Sequence, residues 1–341
     1  MVNSNIKLLD CSLRDGGYVN NFEFGKNNIS RIINGLHYSG TDLIELGFLK
    51  DGNHNPNQSL FNKVSEAEKY LEGPEYYGQE FCLMIRPDWY DISQLEKCTG
   101  KIKNIRFALR PSFLDLTLKQ AKIARDYGYE VFLNPVGVTT YSSSELEELL
   151  VAINDFKPKG VYIVDTFGSL LPNNLKSIYK IFNNVLDSDI AIGLHLHENL
   201  SIALALVNDF INLVDKSRQI YIDSSVLGIG RIPGNLCTET VMNFLNLTEG
   251  FNYNLKEIYK LIDNPISQIR KEVAWGYLPA YAITAFQQMH RSYAEYLMDK
   301  PNMNLQNIDQ ILSQITLEKD RKIFNKSLIQ SLYQQYENKS F

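Results

Sequence analysis

The sequence predicts an α/β fold in which eight parallel strands close into a (β/α)8 TIM barrel, with a C-terminal helical domain. Three observations predict this fold. Eight short apolar runs recur at wide, fairly even spacing, helical periodicity separates most of them, and no strand pattern follows residue 250. The length of 341 residues fits one barrel of about 250 residues and an appended domain.

The predicted strands are rich in Ile, Val, Leu and Phe and are short enough to be buried on both faces. In chain order they start at residues 6, 43, 80, 104, 130, 160, 191 and 221, with the sequences IKLLDCSL, LIELGF, EFCLMI, NIRFAL, EVFLNPVGV, GVYIVDTFG, AIGLHLHEN and YIDSSVLG. Helical spacing of apolar residues lies between most of them, as in 29–36 and 146–153. Eight repeats, with no G-x-G-x-x-G after the first strand, favour a closed barrel over an open sheet.

After the eighth strand, apolar residues recur only at helical spacing. Four helical segments are predicted, at 255–270, 277–298, 305–315 and 324–337. About 90 residues are more than one barrel helix needs, so a catalytic barrel over residues 1–250 and a helical domain over residues 251–341 are expected.

Composition narrows the class of partner. The net charge is −5 with acids and bases interleaved, which gives no electrostatic footprint for nucleic acid or an anionic membrane. The first residues lack the pattern of a secretory leader, and no segment approaches the ~20 apolar residues of a membrane span. A cytoplasmic protein with a small-molecule substrate is expected. The cysteines are far apart in sequence and are expected to be reduced structural thiols; they are Cys11, Cys82, Cys98 and Cys237.

The catalytic face of such a barrel lies at the C-terminal ends of its strands, and polar residues cluster there in this sequence. These residues are Arg14 and Asp15 after strand one, Glu45 in strand two, Asp165 and Thr166 after strand six, and His195 and His197 in strand seven.

His195 and His197 are two residues apart in a strand, so both imidazoles are expected to point into the barrel mouth. A divalent metal held by two neutral imidazoles needs an anionic ligand, and Asp15 can supply it, because strands one and seven flank strand eight. Three protein ligands with open positions are typical of a catalytic metal site. Asp15, His195 and His197 are therefore predicted to be metal ligands.

Arg14 is predicted to be catalytic and substrate-binding, because a guanidinium beside a metal requires an anion between them, and its donors suit an enolate or carboxylate oxygen. The alternative is a surface ion pair with Asp15 or Glu45. Gly16 and Gly17 are expected to keep the backbone clear of the ligand. Two further pairs are expected to bind the substrate carboxylate or to order the ligands; they are Asp165 with Thr166 and Asp223 with Ser225.

Three motifs resemble one superfamily. LLDCSLRDGG resembles its D-x-[ST]-L-R-D-G signature, GLHLHEN its G-x-H-x-H-[ND] signature, and DSSVLGIGRIPGN its G-x-G-x-x-x-G-N turn. The superfamily is that of the metal-dependent aldolase, lyase and acyl-CoA condensing barrels, the HMG-CoA lyase-like enzymes. The resemblance implies that Asp15, His195 and His197 bind the metal, with Asn235 as a fourth ligand or a turn-capping amide. It also implies a divalent ion, Mn2+ before Mg2+, Co2+ or Zn2+.

Within the superfamily the sequence looks most like the 4-hydroxy-2-oxovalerate aldolases, whose barrel is followed by a helical domain. This likeness implies cleavage or formation of a 4-hydroxy-2-oxo acid to pyruvate and an aldehyde through a metal-bound enolate. An acyl-CoA lyase or condensing enzyme, or a silent barrel that binds a 2-oxo acid, is the alternative. The likeness also implies partners, namely an aldehyde dehydrogenase on the C-terminal helices and a homo-oligomer.

Two tyrosines are predicted to be catalytic from the same likeness. YLPAYAITAF resembles the start of a helix that carries a tyrosine over the active site, which makes Tyr277 a lid residue. Tyr18 occupies the position of a histidine that acts as base in those aldolases, and a neutral phenol is a poor base near pH 7. Tyr18 then relays a proton, or Glu45, His54 or a metal-bound hydroxide is the base, or the substrate differs.

Overall fold

The computed structural model describes residues 5–339 and contains the predicted closed barrel. Its strands are β1 (Ile6–Asp10), β2 (Leu43–Leu49), β3 (Glu80–Ile85), β4 (Asn104–Leu109), β5 (Glu130–Pro135), β6 (Gly160–Val164), β7 (Ala191–His195) and β8 (Ile220–Ser224). Successive strands pair in parallel, and β1 pairs with both β8 and β2, which closes the sheet. All eight predicted strands are confirmed. A two-residue strand, Leu60–Phe61, adds to β2.

Helices surround this barrel and continue beyond it. They are α1 (Lys26–Ser39), α2 (Val64–Glu68), α3 (Leu114–Asp126), α4 (Ser143–Phe156), α5 (Pro172–Val185), α6 (Ala203–Leu213), α7 (Thr238–Thr248), α8 (Leu255–Leu261), α9 (Ser267–Glu272), α10 (Pro279–Phe286), α11 (Ser292–Met298), α12 (Leu305–Leu312), α13 (Glu318–Lys322) and α14 (Lys326–Lys339). Between β3 and β4 the connection contains a short 3-10 turn, Ile92–Gln94, in place of an α-helix. Within residues 5–339, none of these helices is both long and apolar enough to cross a membrane.

Two of the C-terminal segments that were predicted as single helices are each broken into two helices. Segment 255–270 is broken between α8 and α9, where Pro265 cannot donate a backbone hydrogen bond. Segment 277–298 is broken between α10 and α11, where Gln288 has a φ of +53°. The left-handed conformation at Gln288 does not fit a continuous right-handed helix.

The apolar side chains form a barrel core and a separate C-terminal core. Ile258, Leu261 and Ile266 pack into the barrel core, although they follow residue 250. The second core begins at Ala280 and is built from helices α10, α11, α12 and α14. We therefore propose that the helical domain starts near residue 280. The division at residue 250 stays a prediction, and residues 1–4 and 340–341 of the predicted ranges lie outside the described residues.

Candidate active site

The turn after β1 places Arg14 and Asp15 at the mouth of the barrel. β1 ends at Asp10, three residues before the predicted end, because the chain then turns back on itself. The backbone amides of Arg14 and Asp15 both donate to the carbonyl of Cys11, at 3.0 and 2.8 Å. This tight turn lifts both side chains over the C-terminal end of the strand, where a parallel barrel collects its functional groups.

Two imidazoles meet Asp15 at this end. His195 closes β7, and His197 lies two residues further, where its backbone bridges to Asn235. Nδ1 of His197 lies 2.9 Å from the carbonyl of Asp165, which can only accept, so Nδ1 carries the proton. Nδ1 of His195 lies 2.9 Å from Oδ2 of Asp223 and donates in the same way. Both Nε2 atoms therefore keep their lone pairs for a ligand.

One ligand atom from each of Asp15, His195 and His197 lies within 4.8 Å of the others. Nε2 of His197 is 3.8 Å from Oδ2 of Asp15, is buried, and has no hydrogen-bond partner within residues 5–339. Burial would raise the pKa of Asp15, but Arg14 and His197 outweigh it and hold that pKa well below its usual range. Burial lowers the pKa of His195 despite Asp223, so its ring is neutral near pH 7. An ionised carboxylate and neutral imidazoles are the protonation states that a divalent cation requires.

Asn235 lies beside this group. Its Nδ2 donates to Oδ2 of Asp15 at 3.0 Å, while its Oδ1 is buried without a partner among the described residues. The loop between β8 and α7 approaches Asn235 closely only because residue 230 is glycine, since a Cβ there would lie 2.3 Å from Asn235 Nδ2. A buried amide oxygen with no donor is costly unless a ligand satisfies it, so Asn235 fits the role of a fourth metal ligand.

Arg14 forms the ion pairs with Asp15 and Glu45 that the alternative predicted, but its side chain is buried, so their predicted location at the surface was wrong. Its Nε donates to Oε2 of Glu45 at 2.7 Å and its Nη1 to Oδ1 of Asp15 at 2.5 Å. In the described part of the chain, Nη2 makes no hydrogen bond. Arg14 lines the cavity beside the candidate metal ligands, so this remaining edge of the guanidinium is available to a molecule in the cavity.

Arg106, at the centre of β4, extends this chain of charges and was missed in the sequence. Its Nη1 lies 2.9 Å from Oε2 of Glu45, and its Nη2 donates to Oδ2 of Asp223 at 2.5 Å. Arg106 and Glu45 have no exposed surface. The alternating charges run from Asp15 to Asp223, where the carboxylate holds His195. With three carboxylates against two guanidiniums, the network carries one net negative charge, which a divalent cation would offset.

The polar residues after β6 divide into one that faces the cavity and one that does not. Thr166 lines the cavity, and its hydroxyl accepts from the amide of Gly137 at 2.8 Å. The carboxylate of Asp165 instead accepts from the amides of Ser169 and Leu170, and burial raises its pKa to about 6. Asp165 is therefore occupied by its own loop, which argues against the predicted contact with substrate.

Of the residues predicted to transfer protons, one lines the cavity and two do not. Tyr18 lines the cavity with its ring edge against Phe48. Glu45 lies beneath Arg14 and does not line the cavity, so its geometry suits positioning of Arg14 rather than proton transfer. His54 packs on Phe61 with Nδ1 at 2.9 Å from the carbonyl of Leu60, outside the cavity.

The structure does not bring Tyr277 to this site. Its side chain is 52% exposed and is absent from the cavity wall. The expectation for the glycines was also wrong. A Cβ at Gly17 would lie 2.0 Å from the ring of Phe22, and one at Gly16 would lie 2.9 Å from Ile229, so protein side chains rather than a ligand fill these spaces.

The cavity itself has a volume of about 340 Å³ and contains further residues that the sequence did not single out. These are above all Arg86 after β3, Arg110 after β4, Asn134 in β5, Arg231 in the glycine-rich loop and Arg291 near α11. Arg231 could have been found, because it lies inside the G-x-G-x-x-x-G motif. The others carry no sequence signal, since single polar residues in connections are common.

Comparison with known proteins tests the resemblance that the three motifs carry. A family model described as HMGL-like matches residues 5–264. The 4-hydroxy-2-oxovalerate aldolase of Bacillus thuringiensis (strain Al Hakam) is 24% identical over 278 residues, which cover 80% of this chain and 77% of that protein. The N-terminal domain of a candidate aldolase from Bacteroides vulgatus has a TM-score of 0.72 and 21% identity, covering 87% of this chain and 98% of that one. The HMG-CoA lyase of Brucella melitensis has a TM-score of 0.61 and 14% identity, covering 77% and 99%. The resemblance carried by the three motifs is confirmed.

Proposed function

The chain belongs to the HMGL-like family, and from this premise we propose that it is a divalent-metal-dependent aldolase. It cleaves a 4-hydroxy-2-oxo acid to pyruvate and an aldehyde, or forms this acid from them. The family and its aldolase relatives support a lyase. The observation that carries the finer proposal is the convergence of Asp15, His195 and His197 with Arg14 in one cavity.

Asp15, His195 and His197 would hold the cation, with Asn235 as a fourth ligand. When bound, the cation supplies Lewis acidity toward oxygen atoms of the substrate. Imidazole and carboxylate donors together suit several divalent metals, and we propose Mn2+, with Mg2+, Co2+ or Zn2+ as alternatives.

Arg14 is proposed to bind the keto oxygen of the 2-oxo acid. Negative charge develops on this oxygen when the bond between C3 and C4 breaks, and a guanidinium already fixed by Glu45 and Asp15 needs no reorganisation to stabilise it. Burial among these residues strengthens the interaction, because little water screens it. Thr166 is proposed to bind the substrate carboxylate from the opposite wall of the cavity.

Tyr18 is proposed to relay the proton of the C4 hydroxyl to water at the cavity mouth, which it can reach because it is 38% exposed. Burial and the charge of Asp15 raise the pKa of Tyr18, so its phenol is neutral near pH 7 and can accept one hydrogen bond while donating another. Asp88 is the cavity acid outside the metal ligands. Burial would raise its pKa, but Arg86 outweighs that effect and lowers it, which makes Asp88 a weak base.

The proposed enolate chemistry is tested without knowledge of the aldehyde. We expect the protein to exchange the methyl protons of pyruvate for deuterium in D2O with Mg2+, and Arg14→Ala to slow this exchange about a hundredfold or more. Proton NMR of the methyl signal measures the rate. Arg14→Lys keeps the charge beside Glu45 and checks folding, and the exposed Arg31→Ala is the matched control.

Absence of metal-dependent exchange in the wild type would contradict the aldolase. Consumption of an acyl-CoA thioester would then favour the condensing or lyase alternative, and binding of pyruvate without exchange would favour a silent barrel.

Replacing Tyr18 and Tyr277 by phenylalanine, one at a time, tests their proposed roles in catalysis. Tyr18→Phe should lower kcat for cleavage about a hundredfold, because the relay hydroxyl is lost, while metal affinity is retained. Steady-state kinetics and titration with Mn2+ measure both quantities, with the exposed Tyr77→Phe as control. A fall of similar size in Tyr277→Phe would support its predicted role as a lid, and an unchanged kcat in Tyr18→Phe would exclude the relay.

The C-terminal helices are proposed as the docking surface for a partner, either an aldehyde dehydrogenase or a second copy in a homo-oligomer. Apolar side chains exposed in this region include Phe286, Leu317 and Ile323, which support a protein contact. A cytoplasmic location also stays a proposal.

A further inference from the structure

The cavity carries more positive charge than the proposed reaction needs. Within the described residues, its titratable side chains are Arg14, Arg86, Arg110, Arg231 and Arg291 against Asp15 and Asp88, together with His195 and His197. Arg14 is neutralised by Asp15 and Glu45, and one substrate carboxylate would neutralise one more guanidinium. The remaining surplus favours a ligand with a second anionic group.

Among the described residues, no carboxylate forms an ion pair with the guanidinium of Arg231. Its Nη2 donates to Nε2 of His290 at 3.1 Å, and burial together with Arg231 and Arg291 lowers the pKa of His290 to about 4. His290 is therefore neutral near pH 7. Arg291 forms an ion pair with Glu295 at 2.9 Å, and Glu295 does not line the cavity. This side of the mouth thus adds a positive potential to the whole cavity.

Two other arginines lie across the mouth from the metal ligands. Arg86 follows β3 and Arg110 follows β4, whereas the two imidazoles come from β7 and its end. In a closed barrel of eight strands, the third strand faces the seventh. A substrate bound at the metal by its 2-oxo acid end would therefore extend its aldehyde half toward Arg86 and Arg110.

Arg86 and Arg110 both lie near one carboxylate, that of Asp88. Nε and Nη2 of Arg86 donate to both oxygens of Asp88 at 3.2 and 2.6 Å, and the guanidinium stacks 3.8 Å from the ring centre of Trp89. Nη1 of Arg110 lies 3.9 Å from Oδ2 of Asp88, and the Arg110 guanidinium makes no hydrogen bond within residues 5–339. One fixed and one available guanidinium share a single acid, which leaves one positive charge for a ligand.

Between the two ends of the cavity lies Asn134. This side chain is 4% exposed, and its Oδ1 has no partner among the described residues. A buried amide oxygen without a protein partner is costly, and a polar group of a ligand in the cavity would satisfy it.

We propose that the aldehyde half of the substrate carries an anionic group, a phosphate or a carboxylate, which Arg86 and Arg110 bind while Asn134 orients the polar groups between it and the metal. The inference rests on the proposed aldolase function and names its substrate class.

The test is the rate of aldol addition of pyruvate to matched aldehydes in the presence of Mg2+. Glyceraldehyde 3-phosphate is compared with glyceraldehyde, and succinic semialdehyde with butanal. We expect kcat/KM to be at least about tenfold higher for one anionic aldehyde than for its neutral match, and Arg110→Ala to lower that preference about ten- to a hundredfold. Arg31→Ala should keep the preference. The pair with the larger preference identifies phosphate or carboxylate.

A second measurement does not depend on turnover. Inorganic phosphate is titrated calorimetrically into the metal-free protein, and Arg110→Ala should weaken its binding by a similar factor. If pyruvate exchange occurs but no anionic aldehyde is preferred, the inference is overturned and the aldolase stands. If exchange is absent, the aldolase fails, and the phosphate titration decides alone: binding that depends on Arg110 supports the anion site, and its absence overturns it.

Discussion

Replacing Asp15 by asparagine is expected to weaken the binding of Mn2+ by roughly a thousandfold, well beyond the 10- to 100-fold loss typical of a residue that only supports a ligand. Cleavage activity should fall with the bound metal. The substitution keeps the shape of the side chain but removes its charge, and an imidazole ligand offers a cation only a neutral lone pair. Arg14 holds this carboxylate ionised, so the negative charge that would bind the cation is present at neutral pH.

Titration of the metal-free protein with Mn2+, followed calorimetrically or by electron paramagnetic resonance, measures this loss. Asp126→Asn removes an exposed carboxylate on α3 and should leave the affinity unchanged. Thermal unfolding without metal separates a lost ligand from a lost fold, because Arg14 keeps its ion pair with Glu45. Equal affinity in Asp15→Asn and the wild type would refute the metal site.

The fold could be predicted because each barrel strand is a short apolar run that no helix period fits. The predicted starts of strands such as β2, β3 and β4 agree with the structure because burial on both faces demands mostly apolar residues. The helical region was less predictable, since a helix break such as that at Gln288 depends on tertiary packing rather than on composition.

The convergence of the candidate metal ligands could be predicted because a simple geometric rule connects residues far apart in sequence. Polar residues at strand ends meet at one face of a barrel, so Asp15 and the two histidines converge whatever the connections do. The location of Tyr277 was harder to predict, because it lies after the barrel and its position depends on how the C-terminal helices pack. No strand rule applies there.

Arg106 shows where such rules stop. In the run NIRFAL it looks like one charged residue in a buried strand, which pattern analysis treats as an interruption. Its partners, Glu45 and Asp223, are 61 and 117 residues away, and only the closed barrel brings them to 2.9 and 2.5 Å. A buried charge inside an apolar strand is a signal that a partner exists, but it does not say which.

Arg106→Met is therefore expected to have the largest effect on stability, lowering the free energy of unfolding by about 3–5 kcal/mol. Methionine fills much of the same volume, so the loss comes from Glu45 and Asp223, which would remain buried with less compensation. Urea denaturation of the metal-free protein, followed by circular dichroism, measures it. Arg31→Met, on the exposed face of α1, should cost less than about 0.5 kcal/mol.

Adding Glu45→Gln to Arg106→Met should recover part of the loss, because one uncompensated charge disappears. The metal site should respond as well. Without Arg106, burial favours protonation of Asp223, and a protonated Asp223 no longer fixes the tautomer of His195. Affinity for Mn2+ should then fall about 10- to 100-fold, as expected when the partner of a ligating histidine is lost. A stable Arg106→Met protein with unchanged affinity would mean that the two ends of the charge network act independently, and that Arg106 has no part in preparing His195 for the metal.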